Sequence, residues 1–429
     1  MQLAKSFVLL AAVLTNVVIA YPYSERSVGR RLIFGVDIGV GSSSDKTVAA
    51  GLPSQDAFYK PPSGWQRKAN GAILRSRQVR PSSSNAAAAY QILFKTTDAL
   101  GAPDHTVTTI LVPQKPQSPA KIVSIQLPQD SPSLDCAPSA ALVAHSKSNF
   151  AVIVPFVNQG LEPSLQNGYY VNVPDHEGSR ALAFVGDMEG HAVLDSLKAT
   201  TSFPTAIPGV SIKTPIVLGG YSGGHWWHSG STQQHSELLE QGCMLSLSVC
   251  YVGPEKRSDV VVELIDLLQT FVGFAAAGIV GEYKAYPDIK NYIDAHVLPN
   301  GTALIEDIQD NKCIGQVVLN YSGKDLFSLF KIKEPLSANI PQKRLNQNML
   351  GNDGSTLKVK TIMYHSEKDD IIPFGDAQKY AADQCAKGAS LNFIVDTGRS
   401  HAEEEFGRGD DLGKWIEEFH KGTADSSCK

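Results

Sequence analysis

Three residues far apart in this chain, a serine, an aspartate and a histidine, each stand in a setting suited to acyl transfer. Ser222 lies in Gly220-Tyr221-Ser222-Gly223-Gly224, directly after the apolar run Ile216-Val217-Leu218. This is the G-x-S-x-G spacing of a nucleophile elbow, where strand turns to helix so sharply that glycines must flank the serine at two positions on either side. Such a turn exposes Ser222 Oγ at the strand's end and aims the backbone N–H of Gly223 at a developing oxyanion. Asp369 follows the run Leu357 to Tyr364, within His365-Ser-Glu-Lys-Asp369-Asp370-Ile371-Ile372-Pro373, and His401 follows Leu391 to Val395. The order Ser222, Asp369, His401 is that of the α/β hydrolases, with His401 as base and Asp369 orienting it. Asp370 is the alternative acid. Asp369 is preferred because Ile371 and Ile372 are the next residues to face inward.

These residues need strands to carry them. Apolar or alternating runs at Ala89 to Thr96, Thr106 to Val112, Lys121 to Leu127, Phe150 to Pro155, Ile216 to Leu218, Leu357 to Tyr364 and Leu391 to Val395 predict strands. A helix is expected over Glu189 to Ala199 and an amphipathic one around Trp415 to Phe419. Strands alternating with helices predict an α/β fold, an α/β hydrolase with a mostly parallel sheet. The apolar stretch Val260 to Val280, with Tyr286 to Val297 and Phe327 to Ile332, reads as an inserted helical cap that would present apolar surface to an acyl chain. The expected division is a signal peptide at 1–20, a leader or linker at 21–52, core at 53–255, cap or lid at 256–345 and core again at 346–429. The pair Arg30-Arg31 is a candidate processing site in the leader.

Met1 to Ala20, with one early lysine and the apolar run Phe7 to Val13, has the form of a secretory signal. Nothing later is long and apolar enough to be expected to span a membrane. The chain therefore reads as secreted. Its net charge of -5 and lack of a basic block argue against nucleic acid as a partner. Six cysteines suit an oxidising compartment, although spacing alone leaves their pairing open. Asn300-Gly-Thr302 and Asn320-Tyr-Ser322 are candidate glycosylation sites. Neither Asp175-His176-Glu177 nor the His225/His228 pair has the ligand spacing of a metal site, so no metal or organic cofactor is expected. A structural role at a strand end is the better reading of Asp175-His176-Glu177.

The chain resembles the fungal secretory lipases of the Candida antarctica lipase A type over about Asp56 to Gly224 and from Leu264 to the C-terminus. The resemblance rests on Phe58-Tyr59-x-Pro-Pro-x-Gly-Trp65, Gln129-Asp130-Ser131, Leu134-Asp-Cys-Ala-Pro-Ser139, Tyr169-Tyr170-Val171, Asp175-His-Glu-Gly178, the elbow itself, Asp369-Asp-Ile-Ile-Pro373 and Gln384-Cys-Ala-Lys-Gly-Ala389. It implies Ser222 as nucleophile, Asp369 as acid, His401 as base, and Asp130 with Gly223 as the oxyanion site. It also implies the pairs Cys136–Cys313 and Cys385–Cys428, leaving Cys243 and Cys250. The function so implied is a secreted lipase acting on acylglycerols or similar lipid esters at a lipid–water interface. A serine peptidase on the same fold is the alternative.

Residues 225–255 depart from that pattern. His225-Trp226-Trp227-His228 puts bulk behind the elbow, where dense packing favours small aliphatic residues. Reading the same codons one base upstream gives Leu-Val-Ala preceded by Ser, Pro, Thr or Ala, which points to a frame-shifted or mis-spliced segment. Taken literally, the segment raises a further alternative, a catalytically impaired lipid-binding relative.

Overall fold

The computed structural model describes residues 51–152, 154, 160–225, 243–246, 272–348, 351 and 354–428. The signal, the leader with Arg30-Arg31, residues 226–242, Cys250 and the first part of the expected cap lie outside them, and of His225 and Cys243 only the backbone is described.

A nine-stranded sheet runs through the described residues: β1 Ile73–Val79, β2 Ala86–Thr97, β3 Pro103–Pro113, β4 Ile122–Gln126, β5 Tyr170–Pro174, β6 Ile216–Gly220, β7 Cys243–Ser246, β8 Thr361–Ser366 and β9 Leu391–Asp396. Their spatial order is β1-β2-β3-β5-β4-β6-β7-β8-β9. The first three strands and β5 pair antiparallel, and from β5 through β9 every pairing is parallel. The central strand β4 is buried along its whole length, as expected of a parallel strand covered on both faces.

The period of two in these strands divides the core. Ile122, Ile216, Leu218 and Met363 face one apolar layer, with Val193, Leu194 and Leu197 of helix α1 (Gly186–Thr201). Their strand neighbours Val123, Val217, Ile362 and Tyr364 face the other. There they meet Trp415, Ile416 and Phe419, which recur at helical spacing on the C-terminal helix.

The inserted helices form a third apolar cluster. These are α2 (Val272–Ala285), α3 (Pro287–His296), α4 (Pro299–Asn311), α5 (Ile314–Tyr321) and α6 (Asn339–Asn348). Ala276, Ala277 and Val280 of α2 and Val317 and Val318 of α5 belong to it, together with Leu182, Val185 and Met188 around the start of α1. At Gly273 a Cβ would lie 2.5 Å from the Val318 Cα, so α2 and α5 touch backbone to backbone and only glycine fits. No helix among the described residues is long and apolar enough to cross a membrane.

Helices α7 (Phe374–Ala386), α8 (His401–Gly407) and α9 (Gly409–Lys421) complete the chain. A disulfide joins Cys136, in the loop after β4, to Cys313 at the start of α5, and a second joins Cys385 of α7 to Cys428.

Two expected strands differ. Phe150 to Pro155 is not extended where described: Asn149–Val152 form a 3-10 turn, and Pro155 lies outside the described residues. Ser148 Oγ accepts the Phe150 N–H at 3.2 Å, a local bond that competes with strand pairing, so burial of Phe150 did not require a strand. The strand expected from Leu357 begins only at Thr361, since the Leu357 N–H is taken by the Gln384 side chain at 2.8 Å.

Candidate active site

Four loops leave the C-terminal ends of β4, β6, β8 and β9, and they carry Asp130, Ser222, Asp369 and His401 respectively. Parallel strands place such ends side by side at one edge of the sheet, where open α/β folds bind ligands. Residues as far apart in sequence as Asp130 and His401 thus share one edge of the sheet.

Ser222 follows β6 by two residues and has φ +54°, in the left-handed region that a side chain adopts only under constraint. His401 Nε2 lies 2.9 Å from its Oγ, and His401 Nδ1 lies 2.8 Å from Asp369 Oδ2. The other Asp369 oxygen accepts the backbone N–H groups of Ile371 and Ile372 at 2.9 and 2.8 Å, which fixes the carboxylate. Burial opposes its charge, but the charge and hydrogen bond of His401, with help from His365, hold Asp369 below the usual carboxylate range. An ionised Asp369 accepts from Nδ1–H and leaves Nε2 to accept the Ser222 proton. For His401 itself, burial would lower the basicity, yet Asp369, Glu405 and Asp370 together raise it above the ordinary imidazole value.

His401 opens α8 behind a capping box: Ser400 Oγ accepts from Glu403 N–H, and the Glu403 carboxylate accepts from Ser400 N–H. Asp370 accepts the His401 backbone N–H at 3.1 Å, and Tyr221 donates its hydroxyl to the His401 carbonyl at 2.8 Å. The two aspartates therefore have separate places, Asp369 against the ring and Asp370 against the backbone.

Asp130 is buried at φ +47° and its carboxyl lies directly over Gly223. A Cβ on residue 223 would be 1.5 Å from Asp130 Oδ1, so the elbow glycine makes room for this carboxyl. Burial pushes the Asp130 carboxyl up to about 7, against the opposing pull of His401. Below that pH it is neutral and can donate a hydrogen bond alongside the Gly223 N–H.

Asp175-His176-Glu177 form the layer beneath. Glu177 accepts Ser131 N–H at 3.2 Å, Asp175 accepts Ser139 N–H at 2.7 Å, and His176 Nε2 lies 3.3 Å from the Gly223 carbonyl. Burial raises both carboxyls, Asp175 to about 7, and it lowers His176 to about 4. No group of three or more His, Cys, Asp or Glu among the described residues is arranged to hold a metal ion. The loop bearing Asp130 is also tied to the inserted helices: Ser131 Oγ accepts Ile314 N–H at 2.9 Å, Lys284 Nζ donates to Pro132 O at 2.6 Å, and the Cys136–Cys313 disulfide lies just beyond.

The candidate glycosylation residues Asn300 and Asn320 are exposed, on α4 and α5, apart from this cluster. Sequence reasoning missed Tyr221, whose position inside the elbow motif was the available signal, and Glu405, which nothing in the sequence distinguishes from its neighbours Glu403 and Glu404. Glu405 is instead buried, and burial pushes its carboxyl up to about 7.

The profile of the secretory lipase family matches residues 151–427. The chain is similar to lipase A of Moesziomyces aphidis, at 32% identity over 81% of this chain and 76% of that one. It is equally similar, at 32% identity, to a secreted triacylglycerol lipase of Malassezia furfur, over 80% of this chain and 70% of the relative. Its structure resembles that of Candida antarctica lipase A in its closed state, with TM-score 0.79, 28% identity and 89% of each chain covered. A rice cell wall degrading esterase of Xanthomonas oryzae, at 15% identity and TM-score 0.60, shares the fold.

Proposed function

The chain belongs to the secretory lipase family, and on that premise we propose that it hydrolyses lipid esters through Ser222, His401 and Asp369 by way of an acyl-enzyme. The observation that carries the reading is the single imidazole spanning 2.9 Å to Ser222 Oγ and 2.8 Å to Asp369 Oδ2.

Ser222 Oγ attacks the ester carbonyl carbon as its proton passes to His401 Nε2. The imidazolium so formed keeps its Nδ1–H on the Asp369 carboxylate, which holds the ring in the one orientation that serves both transfers. Negative charge gathers on the former carbonyl oxygen, and the Gly223 N–H and the neutral Asp130 carboxyl receive it. Because these donors are already in place, little reorganisation is needed as the charge develops. When the tetrahedral species collapses, His401 returns the proton to the departing alcohol, leaving the acyl group on Ser222. Water, deprotonated by the same imidazole, then releases the fatty acid.

Acylglycerols are the proposed substrates, and the apolar inserted helices are the proposed contact with acyl chains at a lipid–water interface. The family's secreted members support an extracellular setting, as do the two disulfides. Purified protein assayed on acylglycerols and on peptide amides separates this reading from the peptidase alternative. Fatty-acid release that disappears in Ser222→Ala is the expected result, and amide cleavage without ester cleavage would overturn it. The impaired-relative alternative depends on residues 225–255, which lie almost wholly outside the described residues; the same assay on the unaltered chain decides it.

A further inference from the structure

The acidic run after His401 divides into three jobs. Glu403 closes the capping box, and Glu404, fully buried, pairs with Arg399 and Arg408. Glu405 does neither. Its side chain is buried, and Oε1, shielded from solvent, has no hydrogen-bond partner. Leaving a buried polar atom unmatched is costly and calls for an explanation. Four residues beyond His401 on α8, Glu405 is on the same helix face, with Cβ atoms about 6 Å apart. Two charged groups act on it, His401 from its own helix and Asp130 from the loop after β4. His401 in turn is faced by Asp369, Asp370 and Glu405, and Asp130 by His401, Glu177 and Glu189.

We propose that Glu405 is a positioning residue of the ester-hydrolysis reaction, a second carboxyl besides Asp369 that stabilises the His401 imidazolium formed when Ser222 loses its proton. The inference rests on the triad reading above. No proton leaves Glu405 in the step. Molecules in which it is already ionised meet the new positive charge with a fixed negative one, in a water-excluded site where such an interaction is only weakly screened. Burial raises the carboxyl to about 7, and the His401 cation draws it back toward ionisation. An acceptor oxygen without a partner is what this role requires, because a carboxylate already neutralised by a cation, as Glu404 is by Arg399 and Arg408, would have little charge left to offer.

The test is the pH profile of kcat/KM on a soluble short-chain ester, measured for wild type, Glu405→Gln, Glu405→Met and Glu405→Asp. The first two variants remove the charge at nearly constant volume, so that loss of the fold in one leaves the other. Removing the charge makes His401 less basic, so in both the acid limb should move to lower pH, while the plateau of kcat falls about threefold to tenfold with KM little changed. Glu405→Asp keeps a carboxyl and should hold the acid limb near its wild-type position. An unchanged acid limb in folded Glu405→Gln or Glu405→Met overturns the proposal, as does a Glu405→Asp limb displaced as far as theirs. Failure of the triad reading would look different, since His401→Ala would then retain wild-type ester turnover whatever stands at 405.

Discussion

Asp369→Asn should lower kcat on a soluble ester about ten-thousandfold, whereas Asp370→Asn should cost far less. The difference follows from what each carboxylate touches. Asp369 accepts the Nδ1–H of His401 at 2.8 Å, and its other oxygen is fixed by two backbone N–H groups. An amide in its place can present an N–H to Nδ1, stabilising the tautomer that carries its proton on Nε2 and can no longer accept from Ser222. The fold should survive, because Asn keeps an oxygen for the Ile371 and Ile372 amides. Asp370 accepts the backbone N–H of His401, and an Asn oxygen can do the same. Steady-state kinetics on the two purified variants check the assignment, and equal losses would remove Asp369 from its role.

Gly223→Ala should reduce kcat by about a hundredfold to a thousandfold, the usual effect of disabling an oxyanion donor. Its Cβ would stand 1.5 Å from Asp130 Oδ1 and 2.4 Å from the carboxyl carbon. Either the carboxyl withdraws or the elbow shifts, and both leave the developing charge short of a donor. The loss belongs in kcat rather than KM, because the contact is proposed to form with the oxyanion and not with the ground-state ester. Gly278→Ala is the control: its Cβ meets Phe184 at an ordinary 3.6 Å, in helix α2. Activity of Gly223→Ala within a few-fold of wild type would remove Asp130 and Gly223 from the oxyanion site.

Much of this was legible in the sequence because parallel strands announce themselves twice, by a continuous apolar run and by the loop that must follow it. Ile216 to Gly220, which opens on Ile-Val-Leu and leads to Ser222, is the clearest case, and Leu391 to Asp396, interrupted by Asn392, leads to His401; the role of Asp130 was implied by the family resemblance alone. Phe150 misled for the converse reason: an apolar residue reports burial, and a serine two positions earlier was enough to bend the chain into a turn. Glu405 was hidden because composition cannot distinguish three consecutive glutamates, whereas the capping box and helix periodicity send Glu403, Glu404 and Glu405 to three surroundings. Asp175-His176-Glu177 was read as structural, and its contacts explain why that position needs acids: they hold Ser139 and Ser131, which flank the Asp130 loop and the first disulfide cysteine. Local sequence carries no information about which loop a buried carboxyl will reach.

The central claim is that Ser222 becomes acylated, and covalent trapping tests it most directly. A p-nitrophenyl alkylphosphonate offers phosphorus in place of the carbonyl carbon; attack by Ser222 Oγ expels nitrophenolate and leaves a stable phosphonyl ester. Intact mass followed by peptide mapping should find one phosphonyl group per chain, on Ser222, with acylglycerol hydrolysis lost in proportion and no label on Ser222→Ala. Label on another residue, or acylglycerol hydrolysis that persists in the fully labelled protein, would contradict the account.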